Sequence, residues 1–176
     1  MKQRTIIVVL ASLGLGMAAF LSLVLYVVAP MTWRYLKAWS EPHELPLAKI
    51  PSEFRTITGQ ELPKKVDGLR AIFQGSMDPK IFVRFETDAE GIEYVKRSFM
   101  IAGATSEHIV AGQLRQTRSL MFSSVPPMQE KLGICLFDQK SIESGLLIVS
   151  PGLKHRYYSV LIDEQRGTVY IYAIFL

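Results

Sequence analysis

Three histidines, one cysteine and a short run of carboxylates are the residues in this chain that could do chemistry. A zinc site or a nucleophilic dyad would need them at set spacings. His43, His108 and His155 lie far apart, and none pairs with another histidine or with Cys135 at ligand spacing. No zinc site is therefore visible, and each reads as a surface or strand-edge histidine. Cys135 is the single cysteine. It can close no intramolecular disulfide, and it leaves the redox compartment undecided. Because it lies in the apolar run from Leu132 to Phe137, it reads as a buried, inert thiol.

Asp88, Glu90 and Glu93 are the densest carboxylate group, the type of cluster that binds metal or moves protons. Helix capping explains them more simply. Thr87 with Glu90 three residues later forms a capping box, and acids in the first turn complement the helix dipole. Lys154-His155-Arg156-Tyr157-Tyr158 mixes cations with aromatics, as single-stranded nucleic-acid sites do. From Leu45 onward, however, the chain carries 16 basic and 14 acidic residues. That near-balance gives no basic face, so the run reads as a polar strand entry and no nucleic-acid partner is expected. Arg115 and Arg118 share a face if their segment is helical, and a solvated surface is the default for them.

Motif searches end the same way. There is no G-x-S-x-G elbow and no P-loop. Gly14-Leu15-Gly16-Met17-Ala18-Ala19 matches a dinucleotide-binding spacing, but it sits inside a hydrophobic span without a βαβ unit. The chain has no asparagine, hence no N-glycosylation acceptor. No catalytic residue, metal ligand or cofactor-binding residue is assigned, and the balance leans away from an enzyme.

The element that positions everything else is Ile6 to Ala29, an uncharged apolar stretch. At 1.5 Å per residue a helix of that length crosses a hydrocarbon core of about 30 Å. A cleaved secretory signal has a shorter apolar region, so an uncleaved signal-anchor is expected. Lys2 and Arg4 flank one end, and Arg34 and Lys37 the other, nearly balancing the positive-inside rule. A five-residue tail with three positive groups is hard to translocate. The N-terminus is therefore expected in the cytoplasm and the C-terminal domain outside it.

Tyr26, Trp33, Tyr35 and Trp39 fit an aromatic belt at the lipid interface, with Arg34 and Lys37 reaching toward phosphates. Ser12 and Gly16, and Gly14, Ala18 and Ser22, recur at four-residue spacing, which admits close helix contact and a homodimer. Beyond Pro30 the expectation is a juxtamembrane segment and Pro-rich linker over residues 30–50, then a globular α+β domain over 51–176. The apolar residues Leu45, Leu47, Ile50 and Phe54 suggest that the linker packs partly on that domain.

Within the domain, Leu69–Gln74 and Ile81–Glu86 read as a hairpin. A helix follows, burying Ala89, Ile92, Val95 and Phe99. Residues 102–124 are hard to read: His108–Ser119 suits a helix weakened by Gly112, and Pro126-Pro127 ends what precedes. Ile134–Phe137 reads as a weak strand and Leu146–Val149 as a stronger one, closed by a Pro151-Gly152 turn. Tyr157–Ile162 and Thr168–Phe175 form a hairpin. The second of these is apolar on both faces and so belongs in the centre of a mostly antiparallel sheet, under a helix on one side and loops on the other.

The functional expectation is a non-enzymatic interaction module or a subunit of a membrane or envelope complex, meeting the bilayer and a protein partner. The alternative is a small-ligand or enzymatic site assembled from scattered polar residues. That alternative needs converging groups, such as Arg84, Glu86 or Tyr158.

Overall fold

The computed structural model describes residues 16–17, 20–24, 26, 29, 32, 40–75, 78–110, 122–138, 141–153 and 156–175. The chain divides into two units, Met1–Ser40 and Glu41–Leu176. The described residues of the first unit are helical. Their large side chains are bare: Met17 and Phe20 are each 66% exposed, and Leu21 and Leu23 each 53%. Among the described residues no helix is long and apolar enough to cross a membrane. Most of Ile6–Ala29 lies outside the described residues.

The second unit begins with β1 (His43–Glu44) and a 3-10 turn at Leu47–Lys49, then α1 (Ile50–Thr58). Of the expected linker over residues 30–50, Leu47–Lys49 is thus a 3-10 turn and Ile50 already belongs to α1. Pro51 sits in the first turn, where a missing N–H is harmless. Ile50, Phe54 and Ile57, at helical spacing, turn one buried face to the sheet. Gly59 ends the helix in the left-handed conformation at φ 72°, which a residue with a Cβ adopts at a penalty. Leu47 is 64% exposed rather than packed.

The hairpin of β2 (Asp67–Gln74) and β3 (Lys80–Glu86) follows, then α2 (Ala89–Phe99). The N-cap of α2 is Asp88, not Thr87: the Asp88 carboxylate accepts from the Gly91 N–H at 2.9 Å. The Thr87 hydroxyl instead donates to the Lys65 carbonyl at 2.7 Å, tying in the preceding loop. Gly91, Val95 and Phe99 are buried, Ile92 is half-buried, and Ala89 is exposed rather than part of the buried face.

Residues 105–110, expected in part as helix, are a strand, β4 (Thr105–Val110). Beta-branched Thr105, Ile109 and Val110 favour that outcome. After a 3-10 turn at Phe122–Ser124, Pro126-Pro127 opens α3 (Val125–Leu132) instead of closing an element. Ile134–Phe137 is a loop, not a strand. Its backbone bonds to a side chain: the N–H groups of Leu136 and Phe137 both donate to Gln129 Oε1, and Gln129 Nε2 donates to the Phe137 carbonyl at 2.9 Å. Leu136 and Phe137 point inward while Cys135 points out, so the thiol is exposed, not buried.

Three long strands complete the unit: β5 (Ser144–Leu153), β6 (Arg156–Asp163) and β7 (Thr168–Phe175). Pro151-Gly152 lies within β5, where the pairing shifts register between Ser150 and Leu153, so it is a bulge, not a turn. The strand order is β1-β2-β3-β7-β6-β5-β4, and every neighbouring pair is antiparallel. The β6–β7 hairpin stands as expected, and β7 is the middle strand of seven.

Both faces of the sheet are covered. On one, Val83, Phe85, Val160, Val169 and Ile171 pack with Phe54 and Ile57 of α1 and Val95 and Phe99 of α2. On the other, Phe82, Leu161, Tyr170 and Tyr172 pack with Phe122, Val125, Met128, Leu136 and Phe137. Aromatic rings dominate the second layer: Phe137 lies 5.2 Å from Phe122 and 5.3 Å from Tyr170, centre to centre.

Candidate functional site

The polar groups that a small-ligand site would recruit are held apart by strand alternation. Arg84 and Glu86 share a face with Phe82 and Tyr170, whereas Tyr158 lies on the face under the helices. Arg84 donates to Glu86 Oε1 at 2.5 Å and to the Gly68 carbonyl at 3.4 Å. Burial pushes the Tyr170 phenol up, and the adjacent Arg84 partly offsets that. Tyr158 donates to the Thr58 carbonyl at 2.8 Å, binding the C-terminal end of α1 to β6. Its phenol is also pushed up by burial, against an opposing effect of Arg156. Arg156 stands over the Phe175 ring at 5.6 Å and against Gly59, a favourable place for a cation at a helix C-terminus. Tyr172, fully buried, is raised by burial and faces Ser124 without a hydrogen bond of normal geometry.

The acidic group at α2 is structural. Asp88 caps the helix and accepts from Lys65 at 3.1 Å. The Gly91 N–H first, and then Lys65, hold its carboxyl below the usual aspartate value, and the same hydrogen bond raises Lys65. Glu93 pairs with Lys96, which also meets Glu164 at 2.8 Å. Among the described residues no group of three His, Cys, Asp or Glu side chains is placed to hold a metal ion.

Two grooves flank the loop Glu61–Leu62–Pro63 on the helical side. One, about 350 Å³, runs between that loop and the first turns of α2, past Lys65, Asp88 and Tyr94. The other, about 610 Å³, lies along α1 between Ser52, Arg55 and Leu69. At their walls Arg55 meets Glu61 at 3.4 Å, Lys65 meets Asp88 at 3.1 Å, and Tyr94 donates to the Glu61 carbonyl at 3.2 Å. Both are in the size range of ligand pockets.

His43 lies on β1 and His108 on β4, at opposite edges of the sheet. His155, Arg115 and Arg118 lie outside the described residues. So do Trp33, Arg34, Tyr35, Lys37 and Trp39 of the expected membrane interface, and Ser12, Gly14 and Ala18 of the expected helix contact. Tyr26 is 82% exposed, and nothing lies within 4 Å of where a Cβ on Gly16 would stand. Sequence reasoning missed the β4 edge. The β-branched residues Thr105, Ile109 and Val110 were the available signal, hidden by the helix-compatible spacing of the basic residues that follow.

No protein family, no curated protein and no solved structure matches this chain.

Proposed function

We propose that the protein is a single-pass, membrane-anchored interaction module, its N-terminus in the cytoplasm and its α+β unit on the other side of the bilayer. In this reading it is a subunit of a membrane or envelope complex, not an enzyme. The observation that carries it is the bare apolar surface of the first unit: Met17, Phe20, Leu21 and Leu23 are all more than half exposed. Side chains of that kind stay in contact with hydrocarbon or another helix, not with water. The dispersal of Arg84, Glu86 and Tyr158 over two faces supports a binding surface over an active site.

The test is in-cell crosslinking and affinity capture of the full-length protein, with a topology reporter fused at Leu176. A stoichiometric membrane-bound partner and an extracytoplasmic reporter are the expected results. A reporter active only in the cytoplasm would overturn the orientation. A partnerless monomer would favour a small-ligand reading, for which the 350 and 610 Å³ grooves beside Glu61–Pro63 are the candidate sites. Replacing Gly14 and Ala18 with isoleucine tests a helix-mediated homodimer, which should be lost in a membrane two-hybrid assay.

A further inference from the structure

The two edges of the sheet are built differently. β1 is two residues long, between Pro42 and Pro46; it pairs with Ile72 and Phe73 of β2, and Leu45 adds one N–H bond to the Ala71 carbonyl. The rest of β2 is broken by a register shift between Asp67 and Arg70, with Gly68 at φ 57°. Arg70 donates to Glu44 across this edge at 2.7 Å. Shortness, proline, a bulge and charge are the devices that keep a sheet edge from accepting another strand.

β4 has only part of this protection. It pairs with β5 without interruption from Thr105↔Val149 to Val110↔Ser144. It holds no proline, no glycine and no lysine. Thr105, Ser106, Glu107 and His108 are exposed while Ile109 is buried, which anchors the strand to the second core layer. Among the described residues, Thr105–Ile109 hydrogen-bond to no strand but β5. The outward N–H and C=O groups of such a strand form a template for one more strand. The chain enters this unit at Glu41, beside β1. β4 is six strand spacings away, about 29 Å at 4.8 Å each.

We propose that Thr105–Ile109 of β4 is the acceptor edge for an extended segment of a partner protein. The segment adds an eighth strand through main-chain hydrogen bonds and places a lysine or arginine opposite Glu107. The proposal rests on the interaction-module reading and specifies its surface. Charge decides the occupant. Glu107 is exposed and has no ion pair among the described residues, and a cation directly opposite is the cross-strand neighbour that favours it. A second copy fits worse. An antiparallel two-fold centred on Glu107 sets it against its own copy. One centred on His108 sets His108 against His108 and Glu107 against Ile109.

The test places a photoreactive benzoylphenylalanine at position 106 or 108 of the full-length protein in its native membrane, with position 55 on α1 as the control. The expected result is an intermolecular adduct from both β4 positions to one segment containing lysine or arginine. Glu107→Lys should lower its yield about fivefold without changing the thermal midpoint. An acidic replacement of the partner's basic residue should restore it. An adduct to a second copy, an adduct to residues 111–121 of the same chain, or a yield indifferent to Glu107→Lys would overturn the proposal. Adducts from position 55 alone would overturn the edge while leaving the interaction module standing. Silence at all three positions would overturn both.

Discussion

The β1 edge and the β4 edge terminate the same sheet by opposite means. At β1, two residues, flanking prolines and the Glu44–Arg70 pair close the sheet off. At β4, six residues run in continuous register on β5, held inward by Ile109 and otherwise turned to solvent. The difference teaches that edge protection is local. The same seven-stranded antiparallel scaffold is blunted where the chain enters and, among the described residues, open along Thr105–Ile109 at its far side. In the proposed interaction module, the open stretch is where main-chain groups are offered to a partner.

Substitutions can break or sharpen this contrast. Ile109→Ala should have the largest effect, about 3 kcal/mol, because it leaves a cavity under β4 in the second core layer. Urea unfolding of the full-length protein in detergent measures this, with proteolysis appearing first near β4. Gln129→Leu should also destabilise by about 3 kcal/mol. It orphans the buried N–H groups of Leu136 and Phe137 and touches neither edge. It therefore separates core damage from edge damage: partner crosslinking from β4 should persist wherever the fold does.

Leu45→Ala, at the blunt edge, should lose about 2 kcal/mol, since Leu45 keeps 8% of its surface exposed. Its N–H bond to the Ala71 carbonyl, 2.9 Å, should survive. Arg70→Ala should shift stability by only about 0.5 kcal/mol, the scale of a half-exposed ion pair. It should, however, raise self-association in dilute detergent if charge guards that edge. Unchanged sedimentation would leave shortness and proline as the sufficient guards.

A pH titration adds a control within the fold. The Asp88 carboxyl is held below its usual value, so its charged form favours the folded state. That contribution is present at neutral pH and is lost as pH falls through the lowered folded value, below 3.8. Asp88→Asn keeps the cap acceptor and should flatten this acid limb in a pH series of thermal midpoints. An acid limb identical to the parent's would place the titrating groups elsewhere.

Much of the architecture was legible because patterns repeat at the period of the element. Alternation along Thr168–Phe175, apolar on both faces, placed β7 in the middle of the sheet with its hairpin partner. The helix after β3 was marked by Val95, Phe99 and the acids of its first turn, although the cap fell one residue later because the Thr87 hydroxyl is used by Lys65. What misled were residues with two meanings. Prolines at 51, 126 and 127 signal breaks, yet each begins a helix, where its lost N–H has no intrahelical partner. Pro151-Gly152 signals a turn but makes a bulge.

Cys135 was misplaced for a tertiary reason. Nothing in Leu132–Phe137 shows that Gln129, earlier in the chain, fixes that loop and turns the thiol outward. The candidate site was least legible. An edge strand is defined by the absence of a neighbour on one side, which depends on strand order and not on local composition. Thr105–Val110 is a short mixed segment whose pattern suits either state, and only the crossover through α2 sends it to the outer edge.

Amide hydrogen exchange on the full-length protein tests the open edge most directly, first in detergent and then in its native membrane. In detergent, amides of β3 and β7 should be slowest, and those of Thr105–Ile109 should alternate between protected, where the N–H bonds β5, and fast, where it points outward. In the native membrane the fast set should become protected while the β1 edge stays unchanged. Uniform protection across Thr105–Ile109 in the isolated protein, or an alternation identical in both settings, would contradict the account.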